Sequence, residues 1–459
     1  MPKDPTDTLP PDSPAVAALD RGRRLREATP RRDHAAWADR PSEDAVAAVL
    51  ASNEGRIPEL VPVRMGRMAA SPFAFLRGSA GLMAADLSVT PRSGVTVQAC
   101  GDAHLVNFGV FASPERRLVF DLNDFDETHP GPWEWDVKRL VASFVVASRE
   151  NGYAEDACRD MARTAARAYR TWMRTYAGMR ALDVWYDHIP IEAILERAAR
   201  ARNRATLEIS IGAAQRRDHM AALGKISRKA ADGGWLIRDR PPLLQRLSDD
   251  DPSRAAVPAI YRSYIRSLAP DRRNLVERYH FVDAALKVVG VGSVGTRCYV
   301  ALFAGPAGGP LVLQVKEARQ SVVAPYVKVR HRDQQGERVV SGQRIMQAFS
   351  DIFLGWTKSA VTGTEYYVRQ LYDMKYGIDL EGVGRPGMEL YADVCGWALA
   401  RAHARSGNPA LIAGYLGQGD VFDEAAAAFA VRYADQAERD HAAFVAAIRA
   451  GKVAATEGV

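Results

Sequence analysis

Two hydrophobic periods succeed one another along this chain, and the places where they change mark out its parts. From about residue 20 to 95 apolar positions recur at helical spacing, with turn signals at Pro41, Pro58, Pro62 and Pro72. Ahead of this block, residues 1–18 are rich in Pro and Asp and predict a disordered tail. The stretch SPFAFLRGSAGLMAADL (71–87) has a Ser-Pro start and then helical periodicity. VTVQAC (95–100) and LVFDL (118–122) predict strands. Between them run GDAHLVNFGVF and the polar turn SPERR, so this part reads as strand, loop and β-hairpin. Residues 133–180 have the pattern of amphipathic helix, and 190–280 are mixed and Arg-rich with no assignable role.

Near residue 284 the pattern turns to β. ALKVVGVGSVGTRCYVALFAG, PLVLQVKEA and TEYYVRQLYDM predict strands, with a helix between them over 338–356. From 385 to 450 the chain is helical again, broken by a glycine-rich loop. The expected class is α+β: helical blocks flanking a small antiparallel sheet. The expected division is a tail over 1–18 and a helical lobe with an insertion over 19–280. A β-rich unit over 281–376 and completing helices over 377–459 follow.

Composition narrows the function classes. Apolar residues make up 47% and charged residues 25% of 459, the proportions of a globular chain of two to three domains. No apolar run approaches the length of a membrane span, and the N-terminus lacks the apolar core of a secretory signal. Cys100, Cys158, Cys298 and Cys395 form no CxxC pair, which argues against a zinc ribbon or disulfide framework and favours a reducing cytoplasm. The net charge of +6 is spread through Arg-acid mixtures, which argues against sequence-specific nucleic-acid binding. Only ten of the 61 basic residues are Lys, so a lysine inside an apolar strand asks for a chemical reason.

The densest chemistry lies in 101–136. Asp102, His104 and Asn107 follow a strand in a G-D-x-H-x-x-N loop. Asp121, Asn123, Asp124, Asp126 and Glu127 then place five oxygen-bearing side chains within seven residues. Hard oxygen ligands at that density suit Mg²⁺, which takes one or two carboxylates together with substrate phosphates. An Asp with an Asn five residues later has the spacing of the kinase catalytic loop, where the Asp meets the acceptor hydroxyl and the Asn holds metal. An acidic turn with an Asx cap is the plain alternative for the DLND part, but it does not account for the residues upstream.

Gly290, Gly292 and Gly295, with Ser293 among them, complete a G-x-G-x-x-G. The residues after it, RCYVALF, are β-formers, so the loop joins two strands instead of opening a dinucleotide-binding helix. That is the setting of a kinase phosphate cover, or of a simple glycine hairpin. Lys316 alternates within the apolar strand LVLQVKEA, and a buried ammonium needs an anion beside it. A strand-edge lysine reaching solvent is the alternative. Its acidic partner stays open among Glu337, Glu317 and a helix that offers Gln343, Gln347 and Asp351 but no Glu. Arg64, Arg67 and Arg77 read as ordinary ion-pair residues, with phosphate binding as the alternative, Arg369 and Lys375 as nucleotide-cleft or surface residues, and His403 as a packed helix residue more than a ligand.

From about 20 to 450 the chain resembles the bacterial domain-of-unknown-function 2252 family. RMAASPFAFLRG, GDAHLVNFG, FDLNDFDETHPGPWEWDVKRL, GVGSVGTRCYV, LQVKEA, RQLYDMK and ARAHARSG carry the likeness. It implies no activity. A second resemblance, confined to motifs, is to aminoglycoside-phosphotransferase-like kinases, whose loop reads H-G-D-x-H-x-x-N. Asp102, His104 and Asn107 match, and Cys100 replaces the leading His. Asp124, Phe125, Gly131 and Asp136 match the spacing of their metal segment. The resemblance implies a two-lobe kinase-like fold with Asp102 as base, Asn107 and Asp124 as metal ligands and Asp136 as a structural residue. Asp121 competes with Asp124 for the metal. In such kinases the glycine loop and lysine precede the catalytic loop, whereas here they follow it. LARAHARSG (399–407) looks like the helix that normally enters that loop, and both features imply a circular permutation.

The expected activity is therefore an ATP- and Mg²⁺-dependent phosphotransfer to an unidentified acceptor, a small molecule, with catalytic Asp102, Asn107 and Lys316. Phosphates would lie under Gly290, Gly292, Ser293 and Gly295. AMP transfer, metal-assisted hydrolysis and a non-catalytic nucleotide sensor are the alternatives. No membrane or nucleic-acid partner is expected, and acceptor specificity is expected in the insertions over 140–280.

Overall fold

The computed structural model describes residues 4–200, 223–224, 226–229, 234–329, 334–371, 376–377, 380–456 and 458. Helix accounts for 54% and strand for 15%, with small antiparallel sheets, so the class is α+β. The first helices are α1 (Pro14–Ala28), α2 (Ser42–Ala51), α3 (Val61–Ala69), α4 (Pro72–Gly78) and α5 (Ala80–Ser88). The strands β1 (Thr96–Ala99), β2 (Phe108–Ala112), β3 (Leu118–Leu122) and β4 (His129–Pro132) surround the acidic motifs. Then come α6 (Trp133–Glu150), α7 (Glu155–Ala177), α8 (Ala181–Tyr186), β5 (Ile189–Pro190) and α9 (Ile191–Arg200).

The chain from 4 to 18 is not a tail. Ser13 caps α1 by accepting from Val16 N at 3.4 Å, and Asp4 accepts from Arg174 Nε at 2.7 Å, tying the start of the chain to α7. The helix expected over 71–87 divides at Ser79, whose hydroxyl donates to Leu76 O at 3.1 Å and closes α4. The long helix expected over 133–180 divides at Gly152, which adopts φ +76°. Instead of showing one apolar stripe, α6 is buried on every side from Trp133 to Ser148, and it carries Glu134, Asp136, Lys138 and Arg139 into the core.

The second part is built on β6 (Ser227–Lys229), β7 (Trp235–Ile237), β8 (Leu244–Arg246), β9 (His280–Lys287), β10 (Cys298–Ala304), β11 (Pro310–Glu317), β12 (Gly355–Lys358) and β13 (Glu365–Gln370), whereas β14 (Tyr376–Gly377) pairs back with β2. Six of these form an antiparallel sheet in the order β12-β13-β11-β10-β9-β8. Helices α10 (Pro252–Arg266) and α11 (Pro270–Val276) cover one face through Tyr264, Ile265 and Leu268 against Phe303, Leu311 and Leu313. The opposite face carries Val300, Leu302 and Val312 against Leu223, Ile237 and Leu244. This unit therefore begins well before residue 281, because β8 and α10 belong to it.

Helix α12 (Gln335–Met346) lies between β11 and β12 in sequence. It stops ten residues short of the expected 356. Asp351 turns the chain there by accepting from Phe353 N at 2.8 Å, and residues 355–358 pair with β13. The last helices are α13 (Arg385–Ser406), α14 (Pro409–Leu416) and α15 (Val421–Arg449). They complete the large core with α6 and α7. Among the described residues no helix is long and apolar enough to cross a membrane.

Candidate active site

A cavity of about 840 Å³ opens where the helical part meets the six-stranded sheet, within the size range of small-molecule sites. Asp102, Asn107, Asp124, Gly290, Gly292, Ser293 and Lys316 all line it. Asp121 and Gly295 do not.

The loop after β1 is shaped by Gly101, at φ +81°. A side chain there would put its Cβ 2.2 Å from Glu127 O, so glycine lets the Asp102 loop lie directly on the acidic segment. Asp136, at the start of α6, accepts from Cys100 N at 2.6 Å and from Gly101 N at 2.9 Å. Its carboxylate is steadied by His403 Nε2 at 3.0 Å, and His403 Nδ1 meets Tyr169 Oη at 2.9 Å. Asp136 thus shapes the loop from beneath, while Asp102 faces the cavity. Arg139, one residue in from Lys138 on α6, donates to Asp102 Oδ1 through Nε at 2.9 Å and holds Leu76 O through Nη2 at 2.7 Å. Asn107 donates its amide to Asp102 O at 2.8 Å, which fixes the spacing of the two motif residues. Burial pushes the His104 pKa down to about 4, so His104 is neutral beside Asp102.

Beyond β3 the carboxylates separate by partner. Asp121 pairs with Gly109 inside the hairpin and is 2% exposed. Arg401 Nη2 donates to both of its oxygens, at 2.7 and 2.6 Å. The Asp121 carboxylate is thus spent on Arg401 inside the hairpin, away from the cavity. Asp124 lines the cavity, and its buried Oδ1 stands 3.9 Å from Lys316 Nζ. Asp126 forms the direct ion pair with Lys316 and also accepts from Tyr367 Oη at 2.6 Å and Ser293 Oγ at 3.2 Å.

Lys316 pairs across β11–β10 with Cys298 and shares the cavity side of its strand with Gln314. Burial acts to lower its pKa, but Asp124 and Asp126 outweigh that and hold it well above the ordinary lysine value. Burial also raises the Glu127 carboxyl to about 7, against the opposing bond from Val322 N.

The glycine loop joins β9 to β10. Gly295 adopts φ +85°, a region glycine favours. Arg56 grips the loop from outside, donating to Val294 O at 2.6 Å and Gly292 O at 3.0 Å, while Arg67 donates to Val289 O at 2.7 Å.

A family profile described as "Uncharacterized protein conserved in bacteria (DUF2252)" matches residues 56–447. The chain belongs to the DUF2252 family. No curated protein matches it, and no solved structure does.

Several residues that build the site in this DUF2252 protein have no readable signal in the sequence. The acid that holds Lys316 is Asp126; Glu317 instead accepts from Arg297 N at 2.9 Å, and helix α12 contributes Arg338. Arg338 donates to Thr128 O at 2.5 Å and Asp126 O at 2.8 Å, clamping the backbone of the acidic segment. The ion pairs expected of Arg64 and Arg77 are absent among the described residues. Arg64 donates to Asn53 Oδ1 at 2.7 Å and Gly78 O at 2.8 Å. Arg369 donates to Gln314 Oε1 at 2.9 Å at the back of the cavity, and Lys375 lies outside the described residues.

Proposed function

We propose that this DUF2252 protein is an ATP- and Mg²⁺-dependent phosphotransferase of kinase-like, circularly permuted architecture, acting on a hydroxyl or amine of a small acceptor. One observation carries the reading. Lys316 and the glycine-loop residue Ser293 both meet Asp126, and Asp126 sits in the acidic segment 190 positions before the lysine. Asp102, Asn107 and Asp124 share that cavity. Two motifs remote in sequence thus enclose one space with the residue types that phosphoryl transfer uses.

The topology supports the same reading. The lysine strand is central in its sheet, with the glycine loop between the next two strands and a helix following the lysine strand. The permutation has a local correlate. Ser406, at the end of α13, accepts from Gln98 N at 3.0 Å, so that helix ends against the strand entering the Asp102 loop. A chain joined at this junction and cut elsewhere would run lysine strand, helix, catalytic loop in the order such kinases have.

The residues fit the cofactors. Asn107 and Asp124 offer oxygen donors on the cavity wall, and among the described residues no cluster of three or more His, Cys, Asp or Glu is arranged to hold a metal alone. A cation held jointly by protein and phosphates matches the preference of Mg²⁺. When bound, Mg²⁺ neutralises charge on the phosphates. Asp126 holds the Lys316 ammonium in place for α- and β-phosphate oxygens, and Arg139 fixes the Asp102 carboxylate toward an acceptor. Such catalysis is largely positioning and charge neutralisation.

Thermal melting with ATP, ADP and GTP, each with and without Mg²⁺, tests the reading. A Mg²⁺-dependent rise in melting temperature with a nucleoside triphosphate is expected, since a ligand selective for the native state stabilises it. Asp124→Ala should abolish the Mg²⁺-dependent part and leave the rest. No response to any nucleotide would end the proposal.

A further inference from the structure

Three arginines meet at the turn between α4 and α5, and they are used differently. Arg139 holds Leu76 O at 2.7 Å and Arg64 holds Gly78 O at 2.8 Å, so the carbonyls on both sides of Arg77 are pinned by buried guanidinium groups. Between them, Arg77 has no hydrogen-bond acceptor and no carboxylate within ion-pair distance among the described residues. Its guanidinium carbon lies 5.9 Å from the Phe73 ring centre, Asp102, Asp124 and Glu150 act on it only beyond ion-pair distance, and its Nε is buried without a partner. Arg77 lines the cavity with Asp102 and Asp124, and its own carbonyl lies 3.6 Å from where a Cβ on Gly292 would stand. A half-buried guanidinium that faces the cavity with no fixed acceptor, its Nε buried and its backbone held rigid at both sides, is costly to leave unpaired unless an anion occupies the space before it.

We infer that Arg77 is the binding residue for the terminal phosphate of a nucleoside triphosphate, placed between the glycine loop and Asp102. This deepens the phosphotransferase reading and rests on it. In the transfer, the bond from the terminal phosphorus to the bridging oxygen breaks, and the diphosphate keeps that electron pair. The acceptor oxygen or nitrogen forms the new bond to phosphorus and gives its proton to Asp102 or solvent. Arg77 bonds the equatorial oxygens of the moving group, a role that a planar, five-donor cation fills better than an ammonium. Lys316, held by Asp126, is left to the inner phosphates. The source of this cation is the helical segment ahead of the Asp102 loop, outside both kinase-like motifs.

Calorimetric binding of Mg·ADP and of the Mg²⁺ complex of a β,γ-imido ATP analogue to the full chain tests the inference. The wild type should bind the analogue more tightly than ADP. Arg77→Gln should keep ADP affinity within about twofold and lose the margin for the analogue by roughly tenfold to a hundredfold, the worth of a charge-assisted contact. Arg77→Lys should keep part of the margin, and because it retains the charge it carries the same comparison if Arg77→Gln melts early without ligand. An unchanged margin in both variants overturns the role of Arg77 and leaves the phosphotransferase reading standing. Failure of the wild type to bind either nucleotide removes the reading itself, and this inference with it.

Discussion

Asp121 and Asp124 belong to one short acidic run, yet they live in different environments. Asp121 points inward from β3 and is locked to Arg401, while Asp124 stands beyond the strand end and lines the cavity. The same division repeats around them. Asp136 with His403 and Tyr169 forms a closed polar network under the Asp102 loop, whereas Asp102 and Asp126 spend their carboxylates at the cavity wall. Buried carboxylates with full sets of partners build the platform, and the ones left at its edge line the cavity where the proposed chemistry would take place. The largest effect should come from breaking the platform. Arg401→Met strands Asp121 in the core and should cost about 3–5 kcal/mol in chemical denaturation. Adding Asp121→Leu should return most of that loss, because the unpaired charge is then gone. Asp124→Ala should change stability by about 1 kcal/mol or less. Equal costs at the two positions would erase the distinction.

The edge is tested through turnover. Asp102→Asn keeps an acceptor oxygen for Arg139, so the fold should be nearly unaffected. ATP turnover should fall about a thousandfold or more, roughly 4 kcal/mol of barrier. Nucleotide-induced stabilisation should persist. A variant that turns over normally would place the chemistry elsewhere in the cavity.

How much of this could be read in the chain depends on range. The Asp102 loop, the glycine loop joining two strands and Lys316 on the next strand are local patterns, and each stands in the element its neighbours dictate. The partner of Lys316 is different in kind. Asp126 lies 190 positions away, and Arg401 lies 280 positions from Asp121, so no spacing rule reaches either pair. The six-stranded sheet begins earlier than the composition shift because β8 is three residues long, inside an Arg-rich stretch where period-two alternation has no length in which to appear. The start of the chain misleads for a related reason: its Pro and Asp residues, typical of disorder, serve here as the cap and first turn of helices tied to α7.

Helix α6 sharpens the comparison at a single residue step. Arg139 reaches Asp102, while Lys138 points away, donating to Thr90 Oγ1 at 3.0 Å with its ammonium 4.6 Å from the Phe429 ring centre. Burial brings the Lys138 pKa down from 10.5 to about 7, with Glu134 opposing. Below pH 7 both folded and unfolded chains carry this proton, and the native state bears the cost of a buried charge. From there up to the unfolded pKa of 10.5 only the unfolded chain keeps the proton, so stability should rise with pH across that window. Lys138→Met should remove this rise and match or exceed the wild type near pH 7, a difference of a few kcal/mol narrowing toward pH 10. Parallel pH profiles for the two proteins would mean that Lys138 is not the titrating group.

The smallest effects lie where platform and edge touch, at Asp126. Tyr367 is 1% exposed and gives Asp126 a 2.6 Å bond, whereas Ser293 reaches the same carboxylate at 3.2 Å from a loop. Tyr367→Phe removes a buried donor and should cost about 1–2 kcal/mol of stability while loosening the hold on Lys316. Ser293→Ala should cost less than about 1 kcal/mol, since solvent can replace its hydroxyl and Lys316 and Tyr367 still satisfy Asp126. With ligand the order should reverse. A glycine loop that leaves Asp126 to cover phosphates gives up the Ser293 bond in any case, so Ser293→Ala lowers the free protein without lowering the complex. Its nucleotide affinity should therefore equal or slightly exceed that of the wild type, by no more than about fivefold for a single neutral bond. A clear loss of affinity would mean instead that the Ser293 hydroxyl touches the nucleotide itself, and that the loop shown here is already in its binding position.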